Sequence, residues 1–394
     1  MKYLCLFLFV ITCEARAQGD DCLDRLLAKK GSWGKSTNTN TTAGAEGNIQ
    51  KSFQNAVHDM IRPNYDPMGV VANEYFTTSS PRSDEPVNQY IYSIMAFNYL
   101  CDGKDFTLNR ETSTRLDIKF NFFSQTSLYD TTEDYMLTGY FDLRHGMPKE
   151  IKPGVWEFPI EREGLGFGRF GKSKLWLVSY DGKIPWSYVT RREFLTKRKR
   201  NLARQMQDEE PRLKEQLGKW EIEKSYKEKE WKNDQTKLAN YINTTYKPGV
   251  EREQQNYKKS KDAFDKAVEK IDEQLKEPAK ELDKPAIVIQ DQKNYLNYYF
   301  VEKVEPFAQV LTKPNPSYFN RKLARSVPQF VSIEIIYDHT DSLPTRFARS
   351  MEELIDLDYI KSFIGKTAPG TKTAKSSSMP AVAPTPGSSK TPIK

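Results

Sequence analysis

Histidine is nearly missing from this 394-residue sequence, with 3 copies: His58, His145 and His339. None has a second histidine one helical turn away, so the paired-histidine motif of zinc proteases is excluded. Cysteine is scarce too, at 4 residues. Cys5 and Cys13 fall within residues 1–17, which read as a cleaved leader, leaving Cys22 and Cys101 for one intramolecular bridge. A cysteine nucleophile competes with that bridge. No Gly-x-Ser-x-Gly elbow occurs, which removes one common serine-hydrolase arrangement. No later apolar run approaches the roughly 20 residues needed to span a bilayer as a helix. The sequence therefore nominates no catalytic residue, no metal site and no cofactor.

What the N-terminus has is an export signal. Lys2 is a positive start, Tyr3–Thr12 is an apolar run, and Ala15-Arg16-Ala17 is a small-x-small cleavage site. Residues 1–17 read as a signal peptide, which implies an oxidising compartment where a Cys22–Cys101 disulfide persists. The net charge is +7. A net +1 lies in the leader (Lys2, Arg16, Glu14) and a net +5 in the end (Lys366, Lys372, Lys375, Lys390, Lys394), which leaves +1 for the body. A nearly neutral body has no bulk reason to seek a polyanion, so nucleic acid is not an expected partner.

Residues 18–47 read as an N-terminal segment ending in a polar linker, Lys35 to Gly47. Residues 48–189 form the first part of a sheet-rich body. Its opening helix, Asn48 to Ile61, carries Ile49, Phe53, Val57 and Met60 at helical spacing and stops at Pro63. Strand-like runs follow at Gln89–Leu100, Thr114–Phe123, Val155–Ile160 and Lys174–Ser179, with turn signals at Asp102-Gly103 and Asp181-Gly182. The glycine-rich run Gly164–Gly171 leads into a strand-like run, which favours a bend over a phosphate cradle.

Residues 190–283 turn helical, opening on the capping box Thr190-Arg191-Arg192-Glu193. Pro211 reads as the start of a second helix. Apolar residues at Leu213, Leu217, Trp220, Trp231, Leu238 and Ile242 form one seam. Lys247-Pro248-Gly249 reads as the turn. Val250, Tyr257, Phe264, Val268, Ile271 and Leu275 then step at heptad spacing. Body resumes over 284–365, with strands at Ala286–Ile289 and Gln329–Tyr337 and a closing helix at Ser350–Ile364. Residues 366–394 are Pro/Ser/Thr/Lys-rich and read as a disordered tail. The expected fold class is α+β: a largely antiparallel sheet body with an inserted antiparallel coiled-coil hairpin.

Two segments carry a resemblance. Ile184-Pro185-Trp186-Ser187-Tyr188-Val189-Thr190-Arg191-Arg192-Glu193-Phe194-Leu195 resembles a P-x-x-V-T-R-K-E-Y-L segment. Asn315-Pro316-Ser317-Tyr318-Phe319, with Val327-Pro328-Gln329-Phe330, is similar to an N-P-x-Y-F…P-Q segment, although Ala324 stands where that pattern has proline. Both resemble segments of uncharacterised exported proteins of Bacteroidota-type bacteria. The resemblance implies a Gram-negative periplasm or cell surface and brings no activity. Asp130-Thr131-Thr132 and Asp341-Ser342-Leu343 resemble the O-glycosylation sequon of such bacteria, which makes Thr131 and Ser342 candidate acceptors.

Two functional expectations follow. The first is a non-enzymatic envelope protein that presents the hairpin to an envelope protein partner. The second is a carbohydrate-binding or carbohydrate-active protein, in which Trp156, Trp176 and Trp186 stack on a glycan; packing inside a large sheet is the alternative use of those rings. Asp338-His339-Thr340-Asp341 sets a histidine between two acids, as ligands or as a solvated turn.

Overall fold

The computed structural model describes residues 21–78, 86–123, 141–143, 145–159, 162–163, 171–303, 305 and 308–370. The leader, Thr131, glycines 164–168 and the end of the tail lie outside the described residues. Fifteen strands are described: β1 (Ser32–Asn38), β2 (Val70–Thr78), β3 (Tyr90–Asp102), β4 (Asp105–Leu108), β5 (Arg115–Phe120), β6 (Phe141–Leu143), β7 (Lys149–Lys152), β8 (Val155–Glu157), β9 (Arg162–Glu163), β10 (Gly171–Val178), β11 (Trp186–Tyr188), β12 (Ile287–Gln290), β13 (Tyr298–Phe300), β14 (Gln309–Pro314) and β15 (Val331–Asp338). The helices are α1 (21–28), α2 (Gly44–Ile61), α3 (Arg191–Glu230), α4 (Gln235–Tyr241), α5 (Lys247–Gln274), α6 (Ala279–Leu282), α7 (Ser342–Leu354) and α8 (Leu357–Lys361).

The large sheet runs β1-β2-β3-β5-β15-β10-β8-β7, with β4 on β3 and β9 on β10. It is mixed, because β1 pairs parallel with β2, whereas the body was expected to be largely antiparallel. The smaller sheet runs β11-β14-β12-β13, with β6 on β14. Strand alternation stacks these into four layers. On one face of the large sheet, Tyr92, Ile94, Ile118 and Ile333 pack with Phe53 and Val57 of α2 and with Phe347 and Met351 of α7. On its other face, Leu175 and Leu177 meet Trp186, Ile287 and Val310 of the small sheet. The next residues along those small strands, Val288 and Leu311, point away and pack with Phe194, Leu195, Leu202, Ala267 and Ile271. The order is helices, large sheet, small sheet, helix bases.

The helical excursion leaves and rejoins the small sheet at one place. Thr190 and Pro285 pair in a β-bridge, and the Ala286 N–H donates to the Val189 carbonyl at 2.7 Å. The capping box forms as expected: the Glu193 N–H donates to Thr190 Oγ1 at 3.2 Å, and the Thr190 N–H donates to the Glu193 carboxylate at 3.0 Å. Lys313 of β14 pairs with the same carboxylate. The Glu193 carboxyl titrates below its usual range, because the Lys313 and Thr190 contacts outweigh burial.

Four expectations need correction. Polar residues 35–47 are not a linker: Ser32–Asn38 is the edge strand β1, and α2 starts at Gly44. An edge strand with one neighbour has little apolar surface to bury, so alternation is silent there. Pro211 does not end a helix, since α3 runs unbroken for 40 residues. One backbone bond is lost at Pro211, and the pairs Glu209–Arg212 (3.4 Å) and Glu210–Lys214 (3.1 Å) straddle it. The turn is not Lys247-Pro248-Gly249 but residues 231–234, where Asp234 caps α4 by accepting from the Lys237 N–H at 2.9 Å. Pro248 sits in the first turn of α5, just after the π-helical Ile242–Tyr246, where a missing N–H is tolerated. Finally, the closing helix is two helices: α7, capped by Asp341, starts at Ser342, eight residues ahead of the expected start at Ser350, and Asp356 caps α8.

Position 249 of α5 suits a glycine because Trp220 of α3 lies on it. A Cβ at 249 would stand 2.5–2.9 Å from Trp220 ring carbons. Gly249→Ala should therefore lower the thermal midpoint, since overpacking of about 1–3 kcal/mol outweighs a helix-propensity gain of up to about 1 kcal/mol. In a Trp220→Ala background the same change should be neutral or stabilising. An additive double-mutant cycle would show that the ring does not seat there.

Cys22 and Cys101 are disulfide-bonded, tying α1 to the end of β3. Arg25 reinforces the tie by donating to the Gly103 carbonyl at 3.0 Å. The bridge closes a loop with a sequence separation of 79. The double Cys→Ser variant should lose about 4–5 kcal/mol by chain entropy alone. Non-reducing peptide mapping should recover the linked peptides, and two alkylatable thiols would refute the bridge.

Candidate functional site

Strand register assembles a row of charge on the inner face of the large sheet. Glu334 of β15 lies opposite Leu175 of β10 and Asp117 of β5, and Asp117 lies opposite Ser93 of β3. Two carboxylates directly across a ladder repel. Lys119, two residues along β5 from Asp117, resolves the conflict: its Nζ is 2.5 Å from Glu334 Oε2 and 3.4 Å from Asp117 Oδ2. Arg115 Nε lies 3.1 Å from Asp117, and Ser93 Oγ donates to Asp117 at 2.7 Å. At the far end Ser173 Oγ is hydrogen-bonded to His145 Nε2 and lies 3.4 Å from Glu334 Oε1.

Ser173 beside His145 and Glu334 combines the residue types of a nucleophile, a base and an acid. Both Ser173 and His145 are 0% exposed, however, and Glu334 is seated on the serine hydroxyl. Within the described residues the serine, histidine, lysine and carboxylates partner one another. The cluster's chemistry is that of a buried, mutually compensated ion network. Burial works against a charged Glu334, but the Lys119 ammonium, with His145 and Arg115 behind it, outweighs burial and holds its carboxyl below the usual glutamate range.

A depressed carboxyl contributes stability above its unfolded pKa and loses it as pH falls through the folded value. Urea midpoints should therefore drop as pH falls from about 5 towards 3, and Glu334→Gln should flatten that slope. Lys119→Met, which strands the carboxylates, should cost about 3–5 kcal/mol at neutral pH. A Glu334→Gln profile as steep as wild type would show that this carboxyl is not responsible.

A second cluster sits on the opposite face, where α2 crosses β2. Glu74 is fully buried and carries three partners: His58 Nδ1 at 2.8 Å, the Tyr92 hydroxyl at 2.7 Å, and Arg62. The Arg62 guanidinium lies over Trp33, 4.7 Å from the ring centre. Burial first, and then the Glu74 charge, push the Tyr92 hydroxyl far above its usual range, so it is a fixed donor. This cluster rivets α2 to the sheet.

The residues singled out from sequence are scattered. His339 sits in a turn where Asp338 accepts from the Thr340 N–H (2.9 Å) and hydroxyl (2.7 Å), and Asp341 caps α7. Ser342 is exposed at the start of α7. The three tryptophans share no platform. Trp186 is buried in the inter-sheet core with Trp156 packed beside it, whereas Trp176 packs on the other face of the large sheet. Among the described residues no group of three or more His, Cys, Asp and Glu could hold a metal ion, and no helix is long and apolar enough to cross a membrane.

Among the described residues, an open groove lies on the helical excursion. α3 and α5 lie side by side and antiparallel: Lys199 meets Asp272 at 2.5 Å near the small sheet, and the Tyr246 hydroxyl reaches Glu221 further out. The fully buried side chains of α3 are Arg191, Phe194, Leu195, Arg198 and Leu202, so none lies beyond Leu202. Past that point the pair forms a groove of about 640 Å³ floored by Leu202, Met206, Tyr257, Phe264 and Val268. Further out Ile222 and Tyr226, one helical turn apart, are 72% and 64% exposed. Heptad spacing gave the α5 side of this floor in sequence; the groove itself depends on which flank of α5 the small sheet covers. No family model, curated protein or solved structure matches the chain.

Proposed function

We propose that this chain is an exported, non-enzymatic protein of the bacterial cell envelope, and that α3 and α5 form a coiled-coil hairpin presented to a protein partner. The observation that carries this reading is an unfilled apolar groove on a pair of helices whose outer part packs on nothing else in the described chain. Further out on the same pair, Ile222 and Tyr226 leave two large apolar side chains exposed one helical turn apart. The Cys22–Cys101 disulfide supports export, since such bridges persist in oxidising compartments. The leader-like residues 1–17 support the same location.

The structure defines a cleaner test than removing the whole hairpin. Ala267 and Ile271 cover Phe194 and Leu195, so they must stay. Deleting Gln207 to Lys261 and closing the gap with a short Gly/Ser loop keeps that base. The variant should fold with a normal disulfide and thermal transition. A photo-crosslinker at Tyr226 of the full chain should trap a specific envelope protein in a native-type host, and the deletion variant should fail to recover it. Recovery of the same partner without the arm, or no crosslink at all, would sink the proposal.

A further inference from the structure

Acids dominate the rim of the groove. On α5, Asp265, Glu269 and Glu273 follow one another at four-residue spacing and all line it. Like charges stacked this way destabilise a helix. None of the three has an ion-pair partner among the described residues. Glu210 adds a further acid from α3, and Lys261 and Lys276 stand only at the two ends of the α5 column. Beside this column runs the apolar strip of Tyr257, Phe264 and Val268. The surface therefore offers an apolar floor and an acidic flank together, at a cost to the isolated helix.

We infer that the groove takes a basic amphipathic α-helix from a protein partner, docked along α5 to complete a three-helix layer. This rests on the reading of the arm as an interaction element and names the chemistry of what it binds. The shape argues for a helix. Within α5 the groove runs from Tyr257 to Glu273, about 24 Å at 1.5 Å per residue, which matches a partner helix of roughly four to five turns. Two antiparallel helices with an apolar groove between them receive a third by the packing that built the pair. The charge argues for its sign. Lysine or arginine beside an apolar stripe would neutralise Asp265, Glu269 and Glu273 and relieve their mutual repulsion, and an acidic helix would add to it.

The test uses the full mature chain and two fluorescein-labelled stapled peptides of about five turns. Both carry the same leucine stripe; one is flanked by lysine and arginine, its twin by glutamate. Anisotropy should show saturable binding of the basic peptide, weakening as salt rises, and at least about tenfold weaker binding of the twin. The triple variant Asp265→Lys, Glu269→Lys, Glu273→Lys should reverse that preference. Met206→Glu, on the half-buried floor, should abolish binding of the basic peptide while circular dichroism and the thermal midpoint stay unchanged. Equal binding of both peptides, or wild-type preference in the triple variant, overturns the inference. So does a chain that dimerises through the groove, with Met206→Glu making it monomeric, because the occupant is then a second copy. If the triple variant still yields the Tyr226-crosslinked partner that arm deletion loses, the arm reading stands and this inference alone falls.

Discussion

The small sheet is buried on both faces, and the rest of the architecture hangs on that constraint. Successive residues of a strand point to opposite sides. In β12, Ile287 enters the inter-sheet core and Val288 the helix-base core, and in β14 Val310 and Leu311 divide in the same way. Each strand thus joins the large sheet to the helical excursion without any connecting domain. A fully buried leucine or phenylalanine contributes about 1.5–3 kcal/mol, so Phe194, Leu195 and Leu202 alone anchor α3 firmly. With its base held, the outer arm needs little core of its own. Its surface is laced instead by local pairs such as Glu215–Lys219 at 2.7 Å and Lys227–Glu230 at 2.8 Å, each worth only a few tenths of a kcal/mol.

Local signals were legible in the sequence, and relations between distant segments were not. The β3, β5, β10 and β15 strands, the α2 helix and the Thr190–Glu193 capping box all announce themselves within a dozen residues. The edge strand β1 does not, because only Trp33 and Thr37 of its seven residues are even half-buried. Lys247-Pro248-Gly249 has the composition of a turn, and only the Trp220 ring on the other arm explains a helical glycine there. Asn233-Asp234 was the truer signal, since an aspartate cap followed by a helical run marks a helix start. His58 and His145 carry no local signal because their partners are remote: His58 meets Glu74 across a helix–sheet contact, and His145 meets Ser173 at the start of β10.

Buried polar groups and the arm groove differ in what completes them. Glu74 has three partners inside the chain, and Glu334 has Lys119 and Ser173. An uncompensated buried charge costs several kcal/mol, so satisfied networks of this kind are what a stable body requires, and their residue types alone do not make an active site. An apolar surface left open carries a smaller penalty, which a folded protein tolerates where a partner repays it.

The groove also cannot be closed cheaply from within. One flank of α5, bearing Ala267 and Ile271, is buried in the small-sheet core, and the adjacent flank, bearing Phe264 and Val268, packs at the edge of that core and, with Glu269, lines the groove. The two flanks are fixed relative to each other by helix geometry. Rotating α5 about its axis to close the groove would lift Ala267 and Ile271 out of their core. Further out, Gly249 under Trp220 sets the spacing of the arms, because interhelical distance follows side-chain size at the contact. The groove lies between these two fixed points. Its openness follows from the small sheet's demand on α5 at one end and the glycine seat at the other.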